Sequence, residues 1–257
     1  MKSFRQAMML AGAATVLLVP LAFAQATDAE FKCEAKATAA STKFVGAKAK
    51  CVMKCLQNFW KGLNPDSDCL PPYGGATATC VADPIKSAEQ AFSLAVRKSC
   101  DPTLKATLDC PECYNGGDCN AYSVDYPQTI EGQVDSFVPG VGCERADATP
   151  AEQKCQLNTA KALTKQTAGV VKCYIKCETN AHKGLVAAAD CLPPATDPAT
   201  ATCISGVDGK AIAAVNKLCG DVGAAPDNCG SPYPDGASWV NLVDIAISGN
   251  VPGNFCE

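Results

Sequence analysis

Lys50-Cys51-Val52-Met53-Lys54-Cys55 is answered 122 residues further on by Lys172-Cys173-Tyr174-Ile175-Lys176-Cys177. Around these two runs the cysteines are written twice, as Cys33, Cys51, Cys55, Cys69, Cys80, Cys100, Cys110 and Cys143, and then as Cys155, Cys173, Cys177, Cys191, Cys203, Cys219, Cys229 and Cys256. Three successive intervals agree to the residue, at 17, 3 and 13 intervening residues. The match extends through Asn58/Asn180, Lys61-Gly62-Leu63/Lys183-Gly184-Leu185 and Asp68-Cys69-Leu70-Pro71-Pro72/Asp190-Cys191-Leu192-Pro193-Pro194. Each copy closes on Val-Pro-Gly-x-x-Cys-Glu, at Val138 to Glu144 and Val251 to Glu257. The pattern reads as a tandem duplication of a domain-sized unit, residues 25–147 and 148–257, rather than as a solenoid.

Within a unit the fold follows from spacing. From Glu30 to Leu63 the chain is rich in Ala and Lys, and Val45, Ala49, Val52, Leu56, Phe59 and Leu63 recur at steps of four and three, the period of an amphipathic helix. Cys33 and Cys51 are 18 residues apart, five whole turns, and Cys55 lies one turn further, so an unbroken helix carries all three sulfurs on one stripe. Cys51 and Cys55 do not bridge each other within a regular helix, so each is expected to clasp another segment. Pro71-Pro72 and Pro193-Pro194 cannot continue a helix and mark where the chain turns back.

A second helix is expected from Asp83 as N-cap with Pro84 at its first position, presenting Ile85, Ala88, Phe92 and Val96 inward and ending at Cys100. Val207, Ala211, Val215 and Leu218 repeat that face in the second copy. Tyr114 to Cys143 and Tyr233 to Cys256 read as extended arms stapled back by their last cysteine. The expected fold is mainly α: two tandem disulfide-stapled helical-hairpin units, each with an extended, loop-rich C-terminal arm. Aromatic residues make up only 6% of the chain, so the core is built from small side chains, and disulfides worth ~2 to 4 kcal/mol each supply stability.

Residues 1–24 read as a secretory signal peptide, with Lys2 and Arg5 before an apolar stretch from Ala7 to Phe23 and an Ala22-Phe23-Ala24 cleavage site before Gln25. The expected product is secreted or periplasmic, with no membrane span after cleavage. In that oxidising setting eighteen cysteines imply up to nine disulfides. Cleavage leaves 20 basic residues against 26 acidic ones, a net charge of -6, and Arg97 and Arg145 as the only arginines. That balance argues against nucleic acid as a partner.

Candidate chemistry is weighed by comparing the copies. Cys110-Pro111-Glu112-Cys113 has the spacing of a thiol-disulfide oxidoreductase, but Cys113 and Cys119 give way together to Pro232 and Ser238. The joint loss points to a Cys113–Cys119 bridge. His182 is the only histidine, and Trp60 stands at its place in the first copy, which excludes a histidine-based catalytic site common to both units. Asn64-Pro65-Asp66-Ser67-Asp68 opens like a calcium loop, but Cys69 replaces the turn glycine and Gly75 the bidentate Glu. No catalytic residue, metal ligand or cofactor is therefore expected. Phe59, Trp60 and Tyr73 form a candidate aromatic binding patch on the first unit, with core packing as the competing reading.

Lys50-Cys51-x-x-Lys54-Cys55 with Asp68-Cys69, the Gly74 to Cys80 run Gly-Gly-Ala-Thr-x-Thr-Cys, and Asp109-Cys110-Pro111-Glu112-Cys113-Tyr114 resemble cysteine-rich helical-repeat proteins exported by environmental bacteria, a group with no established activity. The resemblance implies location and fold. Plant lipid-transfer proteins share the count of eight cysteines but require adjacent Cys-Cys and a C-x-C, which do not occur here. The leading expectation is a non-enzymatic exported structural or binding protein, its partner a protein or a cell-envelope component. A small-molecule or lipid carrier and an oxidoreductase using Cys110 and Cys113 are the alternatives.

Overall fold

The computed structural model describes residues 27–100, 135, 148–219 and 235–250. These form six α-helices and no strand: α1 (Asp28–Phe59), α2 (Gly75–Ala82), α3 (Ala88–Ser99), α4 (Pro150–His182), α5 (Pro198–Cys219) and α6 (Gly236–Asn250). The two long helices begin on the same device. Thr27 and Thr149 accept from the backbone N–H of Glu30 and Glu152, whose carboxylates reach back to the N–H of Thr27 and Thr149.

Both long helices also stop alike. Gly62 and Gly184 adopt φ +69°, a left-handed turn that glycine enters without a Cβ penalty. The Gly62 and Leu63 N–H groups donate to the Phe59 and Asn58 carbonyls, and Gly184 and Leu185 repeat this on Ala181 and Asn180. Here the repeated Lys-Gly-Leu acquires its meaning as a helix terminator. Leu63, expected on the inner face of the helix, lies beyond it and is 70% exposed, as Leu185 is at 69%. After each stop a 3₁₀ turn carries Asp68-Cys69 or Asp190-Cys191 into a cis Pro-Pro bond. The Asp68 carbonyl then accepts from the Gly74 N–H, and that of Asp190 from the Thr196 N–H.

Among the described residues six disulfides, three on each long helix, join it to the segments that return along it. They are Cys33–Cys100, Cys51–Cys80 and Cys55–Cys69 on α1, and Cys155–Cys219, Cys173–Cys203 and Cys177–Cys191 on α4. The three helix sulfurs share one buried stripe, and Cys51 and Cys55 bridge to different segments, both as the spacing requires. Cys110, Cys113, Cys119, Cys143, Cys229 and Cys256 lie outside the described residues, and with them the expected Cys113–Cys119 bridge.

Two expectations are corrected. The returning segment of the first copy is not one helix from Asp83: α2 starts at Gly75, and α3 starts at Ala88 with Ser87 as N-cap. Asp83 caps only the intervening turn, accepting from the Ile85 and Lys86 N–H groups, and Ile85 is 75% exposed. Ala88, Phe92 and Val96 do face inward, as do Ala211 and Val215 of α5. The reason is length. Cys80 and Cys100 are 20 residues apart, but Cys203 and Cys219 only 16, a difference of about one helical turn. α5 runs unbroken, while the first copy's extra turn is taken up by the break at Pro84, which has no N–H to continue the ladder.

The second correction concerns the arm after Tyr233. It is not extended: Gly236–Asn250 is helix α6, with Asp235 accepting from the backbone and hydroxyl of Ser238 at its start. Trp239, Val240, Val243 and Ile247 on α6 are buried against Leu163, Val170, Ala211 and Val215. Isolated β-formers such as Val243 are a packing face here, and burial outweighs their weak helix propensity.

Helices α1 and α4 lie antiparallel. Phe31 meets His182 at one end, and Gly46 lies against Thr164 near the middle. Phe31 and Ala35 of α1 pack onto the core that α4, α5 and α6 enclose.

Candidate functional site

The stripe that carries the sulfurs also carries polar side chains into the interior. On α1, Lys48 is fully buried among Phe44, Tyr73 and Asp135. Its Nζ lies 2.6 Å from Asp135 Oδ1, 5.2 Å from the Tyr73 ring centroid and 5.9 Å from that of Phe44. Tyr73 completes the group by donating its hydroxyl to the same Asp135 oxygen at 2.5 Å. A buried ammonium requires a partner of this kind, because desolvation alone costs several kcal/mol per ion. Lysine, carboxylate and phenol thus meet at one Asp135 oxygen.

On α4 the corresponding stretch holds Gln166, also buried. Its Nε2 lies 3.2 Å from Asp208 Oδ1 on α5, and 3.0 and 2.9 Å from Val240 O and Asp244 Oδ1 on α6. Burial raises the Asp208 carboxyl above the ordinary carboxylate range, with the Gln166 hydrogen bond pulling it back. Burial and the neighbouring Asp208 charge push Asp244 up to about 6, again against the Gln166 bond. Tyr174, about two turns further along α4, is raised by burial, eased by its Ser248 hydrogen bond, and raised further by Asp244 and Asp208. This group brings two carboxylates onto one amide, where the Lys48 group pairs a carboxylate with an ammonium.

Sequence reasoning overlooked both centres, although the signal was present. Lys48 stands about 60° and Gln166 about 20° around the helix from the first sulfur of its copy, so both fall on the buried stripe. A lysine or glutamine at such a position calls for a buried partner.

Phe59, Trp60 and Tyr73 are half-buried and pack together on Val52, Cys55, Leu56 and Cys69. The Asn64 amide is turned onto the Cys55–Cys69 bridge, 3.3 Å from Cys55 Sγ, and Asp66 caps its own turn through the Ser67 N–H. His182 stacks on Phe31 at 4.4 Å, and its Nε2 lies 2.8 Å from Asp28 Oδ1. It therefore joins α4 to the first turn of α1. Among the described residues no cysteine is free, no three His, Cys, Asp or Glu side chains are placed to hold a metal, and no helix is long and apolar enough to cross a membrane.

Fold and interior together define a mainly helical, disulfide-rich protein with buried polar centres. No protein-family model, curated protein or solved structure matches the chain.

Proposed function

We propose that this is an exported, non-enzymatic structural or binding protein, built from a duplicated eight-cysteine helical unit and stabilised by its disulfides. The observation that carries the reading is the closure of all twelve described cysteines into six bridges, joining each long helix to its returning segments in the same cysteine order. Cysteines used in this way secure a fold in an oxidising compartment, where a small core gains most from cross-links. The apparent signal peptide and the resemblance to exported cysteine-rich helical repeats point to the same location.

Cell fractionation with N-terminal sequencing tests location: a mature chain starting at Gln25 in the periplasm or medium is expected, and a full-length cytoplasmic chain opposes the reading. Alkylation with mass mapping tests role. A scaffold labels at no cysteine until reduced, whereas ready labelling of Cys110 or Cys113 in the native protein favours the oxidoreductase.

A further inference from the structure

The Gln166 centre does not balance its hydrogens. The Nε2 amide has two, and three acceptors lie within 3.2 Å of it, while the buried Oε1 of the same side chain has no donor. Two hydrogens thus face four acceptors in a site that holds two carboxylates. The groups facing Asp244 are Gln166 and Tyr174 from α4 and Asp208 from α5, and the charge they bring is negative. Among the described residues no cation pairs with either carboxylate. We propose that Asp208 and Asp244 hold one proton between them across Gln166, and that this proton seats α6 on α4 and α5 as a pH-sensitive latch. Protonation turns one carboxylate oxygen from acceptor into donor: its O–H serves Gln166 Oε1, and the two amide hydrogens serve the other carboxylate and the Val240 carbonyl.

Asp244 takes the proton, since its carboxyl is pushed up to about 6 from an ordinary 3.8. The sign follows from that shift. The docked helix binds the proton more tightly than an undocked one, so docking is strongest in acid and weakens as pH rises from about 4 to about 6, then levels off. α6 carries Trp239, 1% exposed, into the core, so its loosening uncovers apolar surface between α4 and α5.

Trp60 and Trp239 are the only tryptophans, so Trp60→Phe makes Trp239 the sole reporter in the full-length, disulfide-intact protein. Trp239 emission is expected to shift to the red, and acrylamide quenching to rise roughly two-fold or more, from about pH 4 to about pH 8. Asp244→Asn in that background supplies a permanent neutral partner and should hold the acid-state signal at every pH. Asp208→Asn removes the neighbouring charge and should move the midpoint down. A flat profile in the Trp60→Phe protein, or an unchanged midpoint in both aspartate variants, overturns the latch. So does a signal that follows added calcium or EDTA at fixed pH, which would put a metal ion where we place the proton.

Discussion

Lys48 and Val170 occupy the same place in the two cysteine frames, and so, counting back from Val-Pro-Gly, do Asp135 and Ser248. The first copy therefore uses an ion pair where the second uses a methyl-bearing side chain and a hydroxyl. Burying a charge is tolerable only with its partner in place, and removing one member of such a pair costs about 3 to 5 kcal/mol, while exchanging both for apolar groups is often neutral. Asp135→Ala should accordingly lower stability in urea by about 3 kcal/mol, whereas Lys48→Met with Asp135→Ser should lie within about 1 kcal/mol of the parent. Equal losses in the two proteins would mean that an unpaired Lys48 ammonium is not the main cost of losing Asp135.

At the scale of elements, Gly169 shows how tightly α4 receives α5. A Cβ at this position would lie 2.7 and 3.0 Å from the two methyls of Val207, closer than packed atoms allow. Gly169→Ala therefore sets a helix-propensity gain of about 1 kcal/mol against overpacking of about 1 to 3 kcal/mol. A net loss is expected in thermal unfolding. Adding Val207→Ala should recover the steric part, so the pair costs less than its members added; strict additivity would show that the helices separate freely. The first copy has Ala47 and Ala88 at these frame positions, the same exchange of bulk.

Elements differed in how much of them the sequence reveals. α1 and α4 were legible because caps, cysteine spacing and apolar period all point to the same helix. α2 was not, because Gly-Ala-Thr-Ala-Thr has no apolar period, and only Thr77 and Val81 of that helix are buried. α6 was obscured by glycines and β-branched residues whose common face emerges only against Leu163, Val170 and Val215. Of the candidate residues, the common stripe of the α1 and α4 cysteines was legible but the partner of each was not, and Gln166 likewise meets its partners 42 and 78 residues away, a separation that spacing within one helix does not encode.

For the molecule as a whole, the long helices form the spine, each about 50 Å in length, and the bridges fasten returning segments to it. Their pairing depends on both copies at once, through Phe31 on His182 and Gly46 on Thr164, so neither copy alone announces it. The bridges differ in access. Cys55, Cys69, Cys177 and Cys191 are buried at both ends of their bridges, whereas Cys80 and Cys203 are exposed, although their partners Cys51 and Cys173 are not. A reductant needs to reach only one sulfur in line. Under graded reduction of the folded protein, Cys51–Cys80 and Cys173–Cys203 should open first, and Cys55–Cys69 and Cys177–Cys191 should persist until the helices melt. Opening the early pair removes cross-links that close loops of 29 and 30 residues, each worth about 3 to 4 kcal/mol in chain entropy. Stepwise alkylation with mass mapping, followed alongside helical circular dichroism, reads the order. If the doubly buried bridges open first, the segments around Cys69 and Cys191 must open locally more easily than the exposed helix turns at Cys80 and Cys203, and access would not govern the order.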